Sequence, residues 1–180
     1  MRWKSTADRY GMVAVAIHWI TAAAIIALIV SGFRAANLTD PAVKAGLLRV
    51  HAGMGIAILV LTLARIAWWL FADDKPSPAS TTSSLQSRIA SATHAIFYVI
   101  ILGMAASGIG ILVLSGAGAI LFANAPGALP DFWSYLPRIP HGIGGRALAA
   151  LLVLHVGAAL YHQFILRDRI FARIGIGRAK

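Results

Sequence analysis

Two residue types are missing from the 180-residue chain: cysteine and glutamate. Without cysteine the chain can form no disulfide, iron–sulfur cluster or thiolate zinc site, and it cannot attach a c-type haem covalently. The acidic residues are all aspartates and all lie outside the long apolar runs: Asp8, Asp40, Asp73, Asp74, Asp131 and Asp168. A carboxylate relay inside the membrane, as in proton pumps, is therefore not expected.

Charge is scarce and apolar residues dominate. Charged residues make up 12% of the chain, hydrophobic residues make up 59%, and the mean hydropathy is +0.78. A soluble domain carries about 25% charged residues, so this composition predicts an integral membrane protein in contact with the lipid bilayer. The net charge of +10 does not indicate nucleic acid, because the basic residues flank the apolar runs, as topology signals and anionic lipid contacts do.

Apolar runs of the chain are long enough to cross a hydrocarbon core of about 30 Å. They predict four transmembrane helices at about residues 10–33, 50–71, 89–114 and 141–166. The stretch 72–88 is rich in Ser, Thr and Pro, and the stretch 115–140 is rich in Gly, Pro and aromatic residues, which favours loops. We expect an all-α fold, an integral membrane four-helix bundle that forms a single domain over residues 1–180.

The distribution of basic residues predicts the orientation of this bundle. Four spans place both termini and the 72–88 loop on one side with eleven Lys and Arg: Arg2, Lys4, Arg9, Arg65, Lys75, Arg88, Arg167, Arg169, Arg173, Arg178 and Lys180. The other side has five: Arg34, Lys44, Arg49, Arg138 and Arg146. Because positive residues favour the cytoplasmic side, both termini are expected in the cytoplasm.

Histidines occur at two depths of the predicted bundle. His141 and His155 are fourteen residues apart on one helix, which leaves them about 40° from alignment and about 21 Å apart along the axis. In the predicted topology His51 matches His141 in depth at the outer level, and His18 matches His155 at the inner level. Each pair can supply two axial imidazoles to one haem iron, and such ligation favours electron transfer over ligand binding.

Other roles stay open for several polar residues. His94 also lies at the inner level and rivals His155 as a haem ligand, or it bonds a propionate or a loop. Arg65, fourteen residues after His51, either snorkels to the inner surface or pairs with a haem propionate. His162 either caps the last helix or contacts a quinone head or a propionate. Any single histidine here could also hydrogen-bond a neighbouring helix.

The chain resembles the bacterial cytochrome b561 family over about residues 9–168. The resemblance rests on four segments: RYGMVAVAIHW, RVHAGMGIAILVLTLARIAWW followed by KPSP, ATHAIFYVIILGMAASGIGI, and IPHGIGGRALAALLVLHVGAALYHQF. It implies a dihaem b-type cytochrome of the bacterial inner membrane with haem ligands at His18, His51, His141 and His155. In the best understood member it also implies superoxide oxidation at the outer face and ubiquinone reduction within the membrane. Gln163 stands where the family often has a second histidine.

We therefore expect an oxidoreductase with two haem b groups that passes electrons from superoxide to ubiquinone. The outer segments carry five basic residues against Asp40 and Asp131, and a cationic rim attracts a small anion. One alternative is a cytochrome b subunit that links the quinone pool to a protein redox partner, a dehydrogenase or a reductase. A third hypothesis is a haem-free transporter or metal channel that uses the histidines directly.

Overall fold

The structure is a computed structural model that describes residues 2–77 and 83–177. The long helices are α1 (Met12–Asn37), α2 (Pro41–Phe71), α3 (Ser84–Leu114) and α5 (Arg138–Tyr161), the last of which continues as a π-helical turn, His162–Leu166. Two short helices, α4 (Ala117–Phe122) and α6 (Ile170–Arg173), and a 3₁₀ turn at Phe132–Ser134 complete the elements. The described residues contain no strand, and four helices are long and apolar enough to cross a membrane. The predicted all-α membrane bundle is confirmed.

Several helix ends differ from the predicted limits because polar caps set them. Helix α2 begins at Pro41 rather than at residue 50: the Asp40 carboxylate accepts hydrogen bonds from the backbone N–H groups of Ala42 and Val43, at 2.8 and 3.1 Å. Proline suits the first helical position because its missing N–H would have no partner there. Helix α3 begins at Ser84 rather than at residue 89, behind a capping box of Ser83 and Gln86.

A stripe of side chains with a spacing of seven residues runs along each long helix. At mid-height each helix contributes one residue to a buried apolar cluster of Ile25, Ile58, Ile101 and Leu148. Each of these lies seven residues after a histidine of its own helix: His18, His51, His94 and His141 respectively. A seven-residue spacing keeps side chains on one face of helices that coil around one another. The histidines therefore share a helix face with the core, roughly 10 Å along the axis from it.

The two halves of the bundle repeat one arrangement. Helices α1 and α3 carry the same residues at the same spacing: His18, Ile25, Ser31 and Gly32 against His94, Ile101, Ser107 and Gly108. Helices α2 and α5 correspond in the same way, with His51 and Ile58 against His141 and Leu148. Seven residues after Ile58 and Leu148 the correspondence ends, because α2 has Arg65 at the position where α5 has His155. The pairs α1–α2 and α3–α5 pack closely, whereas α1 and α5 touch little.

The first and last described residues lie at one end of the bundle. The N–H of Tyr10 donates to the carbonyl of Arg173 at 3.2 Å, and the N–H of Ser77 donates to the carbonyl of Ala7 at 3.0 Å. The indole N–H of Trp19 donates to the carbonyl of Ile174 at 3.1 Å. The first residues, the segment after α2 and the tail thus cover the same end, as four spans require.

Candidate functional site

The rings of His51 and His141, which we call the distal pair, face one another near the end of the bundle opposite the termini. Their centroids are 6.2 Å apart and their planes are inclined by 70°. An imidazole nitrogen binds a transition metal at about 2.0–2.1 Å, so two imidazoles on opposite sides of one metal have centroids about 6 Å apart. The separation therefore suits two axial ligands of one iron.

A serine on the neighbouring helix fixes each ring of the distal pair. Ser31 Oγ lies 2.9 Å from His51 Nδ1, and Ser107 Oγ lies 3.1 Å from His141 Nδ1. Each hydroxyl donates its one proton to the carbonyl three residues earlier, at Leu28 or Met104, with both distances 3.1 Å. The hydroxyl oxygen can then only accept from the ring, so Nδ1 carries the hydrogen and Nε2 keeps its lone pair for a metal.

Glycines give the two rings the room they occupy. A Cβ added at Gly32 would lie 3.2 Å from His51 Cε1, and a Cβ added at Gly108 would lie 3.2 Å from His141 Cε1. Both contacts are tighter than almost all real Cβ contacts. In each Ser-Gly pair of α1 and α3, the serine thus orients the imidazole ring by a hydrogen bond and the glycine leaves space for it.

A cavity of about 430 Å³ surrounds the distal pair. Its lining includes Ile58 and Leu148 of the mid-height core and four charged residues: Lys44, Asp131, Arg138 and Arg146. The Arg138 guanidinium lies 4.4 Å from the ring centroid of Trp133. An apolar interior with a few convergent polar groups at its mouth is typical of a cofactor site.

The second set of polar side chains, which we call the termini-side cluster, consists of His18, His94, His155 and Arg65. The ring of His155 lies against those of His94 and Phe97, with centroid separations of 5.6 and 5.3 Å. His18 lies within electrostatic reach of the other three members, and its own ring packs on Trp19 at 5.3 Å. His94 is exposed, whereas the other three members are partly buried. The structure thus brings all three histidines to one level and gives His155 the ring of His94 as its neighbour.

Two buried polar atoms at this level lack a hydrogen-bond partner among residues 2–77 and 83–177: Thr21 Oγ1 and Arg65 Nε. The Arg65 guanidinium lies 6.0 Å from the ring centroid of Tyr98. An unpaired cation inside the bilayer is costly, so this site suits an anionic group such as a haem propionate. Together with the paired imidazoles and the glycine cradle, these atoms fit b-type haem.

The last histidine of the α5 stripe lies beyond the termini-side cluster. His162 Nδ1 is 2.5 Å from Asp168 Oδ2, in the π-helical turn that follows α5. His162 is also the C-cap residue of α5, so the position at the helix end that the sequence allowed for it is kept, and its ring in addition contacts a buried carboxylate. The sequence did not indicate Asp168, because its approach depends on an irregular turn.

The supporting serines and glycines were also missed. A Ser-Gly pair follows His18 and His94 at the same interval, and this internal repeat is a sequence signal that could have indicated Ser31, Gly32, Ser107 and Gly108. Within the part of the chain that the structure describes, no three His, Cys, Asp or Glu side chains are grouped so as to hold a bare metal ion.

Comparisons with known proteins identify a family and several relatives of the chain. A family model described as prokaryotic cytochrome b561 matches residues 9–177. Cytochrome b561 homolog 2 of Escherichia coli (strain K12) is 25% identical over 185 residues, which cover 97% of this chain and 95% of that protein. Cytochrome b562 of Cereibacter sphaeroides is 27% identical over 125 residues, with 69% and 65% covered. A Yersinia pestis protein named "Probable superoxide oxidase CybB" is 25% identical over 170 residues, with 92% and 95% covered.

Proposed function

The chain belongs to the prokaryotic cytochrome b561 family, and from this premise we propose that it carries electrons from superoxide to ubiquinone across the bacterial inner membrane. Membrane electron transfer and the binding of b-type haem are properties of the family. The electron donor, the acceptor, the number of haems and the cytoplasmic position of the termini belong to the proposal. The observation that carries it is the presence of imidazoles at two levels, fourteen residues apart on α5.

Four histidines would hold two haems. His51 and His141 would be the axial ligands at the distal level, and His18 and His155 would be the ligands near the termini. Arg65 would pair with a haem propionate at the second site. The propionate would be the hydrogen-bond acceptor that the buried Nε of Arg65 lacks. Bound haem b would supply one-electron carriers at both levels, and bis-imidazole ligation leaves no open position for a substrate on the iron.

The distal cavity supports an anionic donor. Lys44, Arg138 and Arg146 line it against a single carboxylate, Asp131, and an excess of one sign of charge in a cleft raises the local concentration of the opposite ion. Superoxide is a small anion, and the similarity to the Yersinia pestis protein points to the same donor. These residues would guide the anion to the site, and they would do so less well at high ionic strength.

The acceptor would bind near the termini. His162 lies seven residues beyond His155 on the same stripe, so its ring is within about 10 Å of the second histidine level along the axis. A quinone in the bilayer can reach this depth from the side, and His162 would contact its head group.

Spectroscopy and rapid kinetics test the proposal. The protein purified in detergent should give a reduced-minus-oxidised spectrum of b-type haem with about two haems per chain, as bis-histidine sites at two levels require. Superoxide should then reduce it rapidly in a stopped-flow instrument, and added ubiquinone should reoxidise it. Absence of fast reduction would remove superoxide as the donor. Co-purification of a cofactor-bearing dehydrogenase or reductase would instead favour the electron-transfer subunit.

A further inference from the structure

The segment after α5 folds back to bury a carboxylate. Arg167 and Arg169 both adopt left-handed backbone conformations, with φ of 57°, which residues other than glycine seldom do. Between them the N–H of Asp168 donates to the carbonyl of His162 at 3.3 Å. The Asp168 side chain is only 4% exposed, although it lies at an end of the bundle rich in basic residues. The strained backbone thus turns this carboxylate inward instead of leaving it in solvent.

The two carboxylate oxygens of Asp168 have different surroundings. Oδ2 lies 2.5 Å from His162 Nδ1. Oδ1 is buried and has no hydrogen-bond partner among residues 2–77 and 83–177. A buried charged oxygen without a donor is costly, so its retention points to a role beyond stability. The nearest titratable partner is the histidine, which it can orient and whose positive charge it can stabilise.

The contact leaves the other ring nitrogen of His162 for a ligand. With the Nδ1 hydrogen directed at Asp168, Nε2 is the free atom. His162 lies on the same stripe as Leu148 and His155. Helix spacing places His162 beyond the termini-side cluster toward the end of the bundle, and its side chain is 24% exposed, so a quinone head group and solvent can both reach the ring.

We propose that Asp168 and His162 form a proton-donating dyad for the quinone, in which His162 touches the substrate and Asp168 is its positioning residue. This inference rests on the proposed function for its electron source. Reduction of a quinone to a quinol takes two electrons and two protons. The electrons arrive through the transmembrane transfer, and each proton passes from His162 Nε2 to a quinone oxygen. Water on the termini side then returns the proton to Nε2, while Asp168 holds the charged ring in place.

The test follows quinone reduction separately from electron input. The haem of the full-length protein is reduced chemically with dithionite, the excess is removed, and reoxidation by a short-chain ubiquinone is timed. Asp168→Asn should slow reoxidation by about 100-fold or more at saturating quinone, because general acid catalysis contributes about 10²–10⁴-fold, and its KM for quinone should change little. Asp8→Asn, which makes the same charge change at an exposed position, should keep the wild-type rate.

A failure of superoxide as the donor would leave this measurement unaffected, so the two proposals can fail separately. Reoxidation of Asp168→Asn at the wild-type rate would overturn the dyad, as would a raised KM with an unchanged maximal rate. If Asp168→Asn loses haem, the same reoxidation measurement is made on His162→Gln. A wild-type rate, or a raised KM with an unchanged maximal rate, would again overturn the dyad. Nitrogen-15 NMR of labelled histidine gives a readout without turnover: the His162 tautomer should change in Asp168→Asn, and an unchanged tautomer would also overturn the proposal.

Discussion

Neighbouring helices hold each ring of the distal pair in place, whereas the termini-side cluster gathers three histidines around one cation, Arg65, with few side-chain contacts that fix them. At the distal level a serine and a glycine from an adjacent helix fix each imidazole. At the other level three histidines share the space with Arg65, and in the described residues neither His18 nor His155 has a side-chain hydrogen-bond partner. The two halves of the bundle carry equivalent residues at the distal level, His51 and His141. They differ at the termini-side level, where α2 has Arg65 and α5 has His155.

The difference suits two tasks. A rigid pair of ligands in an apolar cavity changes little when an electron arrives, which is what simple electron transfer needs. Under the proposed function, the His162–Asp168 pair near the Arg65 cation would handle protons on the termini side along with electrons.

Removing a ligand of the distal pair should have the largest effect. His141→Ala should lose about half of the haem, because one iron loses an axial ligand while the other site is kept. Pyridine haemochrome analysis of the purified protein measures the stoichiometry. His162→Ala, a histidine of the same helix outside both pairs, is the matched control and should retain all haem. Full haem content in His141→Ala would show that the facing rings of this pair do not hold a haem.

Ligand removal at the termini-side cluster identifies which two histidines act there. His155→Ala and His18→Ala should each lose about half of the haem, and the remaining spectrum should be that of the distal site. His94→Ala should retain haem at both sites, since His94 is the exposed member. The opposite pattern, with loss in His94→Ala and retention in His18→Ala, would make His94 the partner of His155, as their 5.6 Å ring separation allows.

The sequence predicted the depth of each histidine in the bundle but not the side chains that support its ring. Helix rise is constant, so spacing alone placed His51 with His141 and put His18, His94 and His155 near one depth. Which neighbouring side chain supports a ring depends on how helices are rotated against one another, and spacing within one helix does not contain this information. The internal repeat marks Ser31 and Ser107 in the sequence, but their contacts with His51 and His141 depend on how α1 packs against α2 and α3 against α5.

The helix ends and the tail show a second limit of the sequence. Hydropathy found the apolar parts of the spans, while Asp40 and Ser83 extend α2 and α3 into polar stretches by capping them. The approach of Asp168 to His162 needs a π-helical turn and left-handed arginines. No periodic pattern predicts these, since each is a local departure from regular helix.

Serine removal at the distal pair should weaken one site only. Ser107→Ala deprives His141 of the group that fixes its Nδ1 hydrogen, and loss of such a partner typically reduces metal affinity by about 10–100-fold. We expect haem at the distal site to transfer to apomyoglobin at least about tenfold faster than in the wild type. Ser115→Ala, at the end of the same helix, should leave the rate unchanged. An equal acceleration at both sites would mean that Ser107 supports the bundle and not one ring.

Adding a methyl group at the glycine cradle should act more mildly. Gly108→Ala places a Cβ 3.2 Å from His141 Cε1, so the ring must shift by a few tenths of an ångström. We expect an altered midpoint potential of the distal haem, measured by redox titration, with the second haem unaffected. Gly103→Ala in the same helix meets nothing within 4 Å and should stabilise the protein by about 0.5–1 kcal/mol through helix propensity. Identical titrations for both variants would show that the glycine contact is unimportant.

The smallest effect concerns the end of the bundle where the termini meet. Burial favours a neutral Asp73 carboxyl, but hydrogen bonds from Ser5, Trp68 and Asp74 outweigh this and lower the pKa of Asp73. Ser5 Oγ donates to Asp73 Oδ2 at 2.7 Å. A carboxyl whose pKa is lowered by folding stabilises the folded state above its unfolded pKa of about 3.9. That stability is lost as pH falls through the lower, native value.

Hydrogen exchange of the first residues should therefore show this loss. Below about pH 4, the free pKa of aspartate, backbone amides near Ser5 should lose protection before those around the distal pair. Asp73→Asn should have low protection there already at neutral pH, with little further change on acidification, whereas Asp74→Asn, an exposed neighbour, should behave as the wild type. If amides at both ends of the bundle lose protection at the same pH, the two levels unfold as one unit. The difference between the levels would then be confined to the haem ligands.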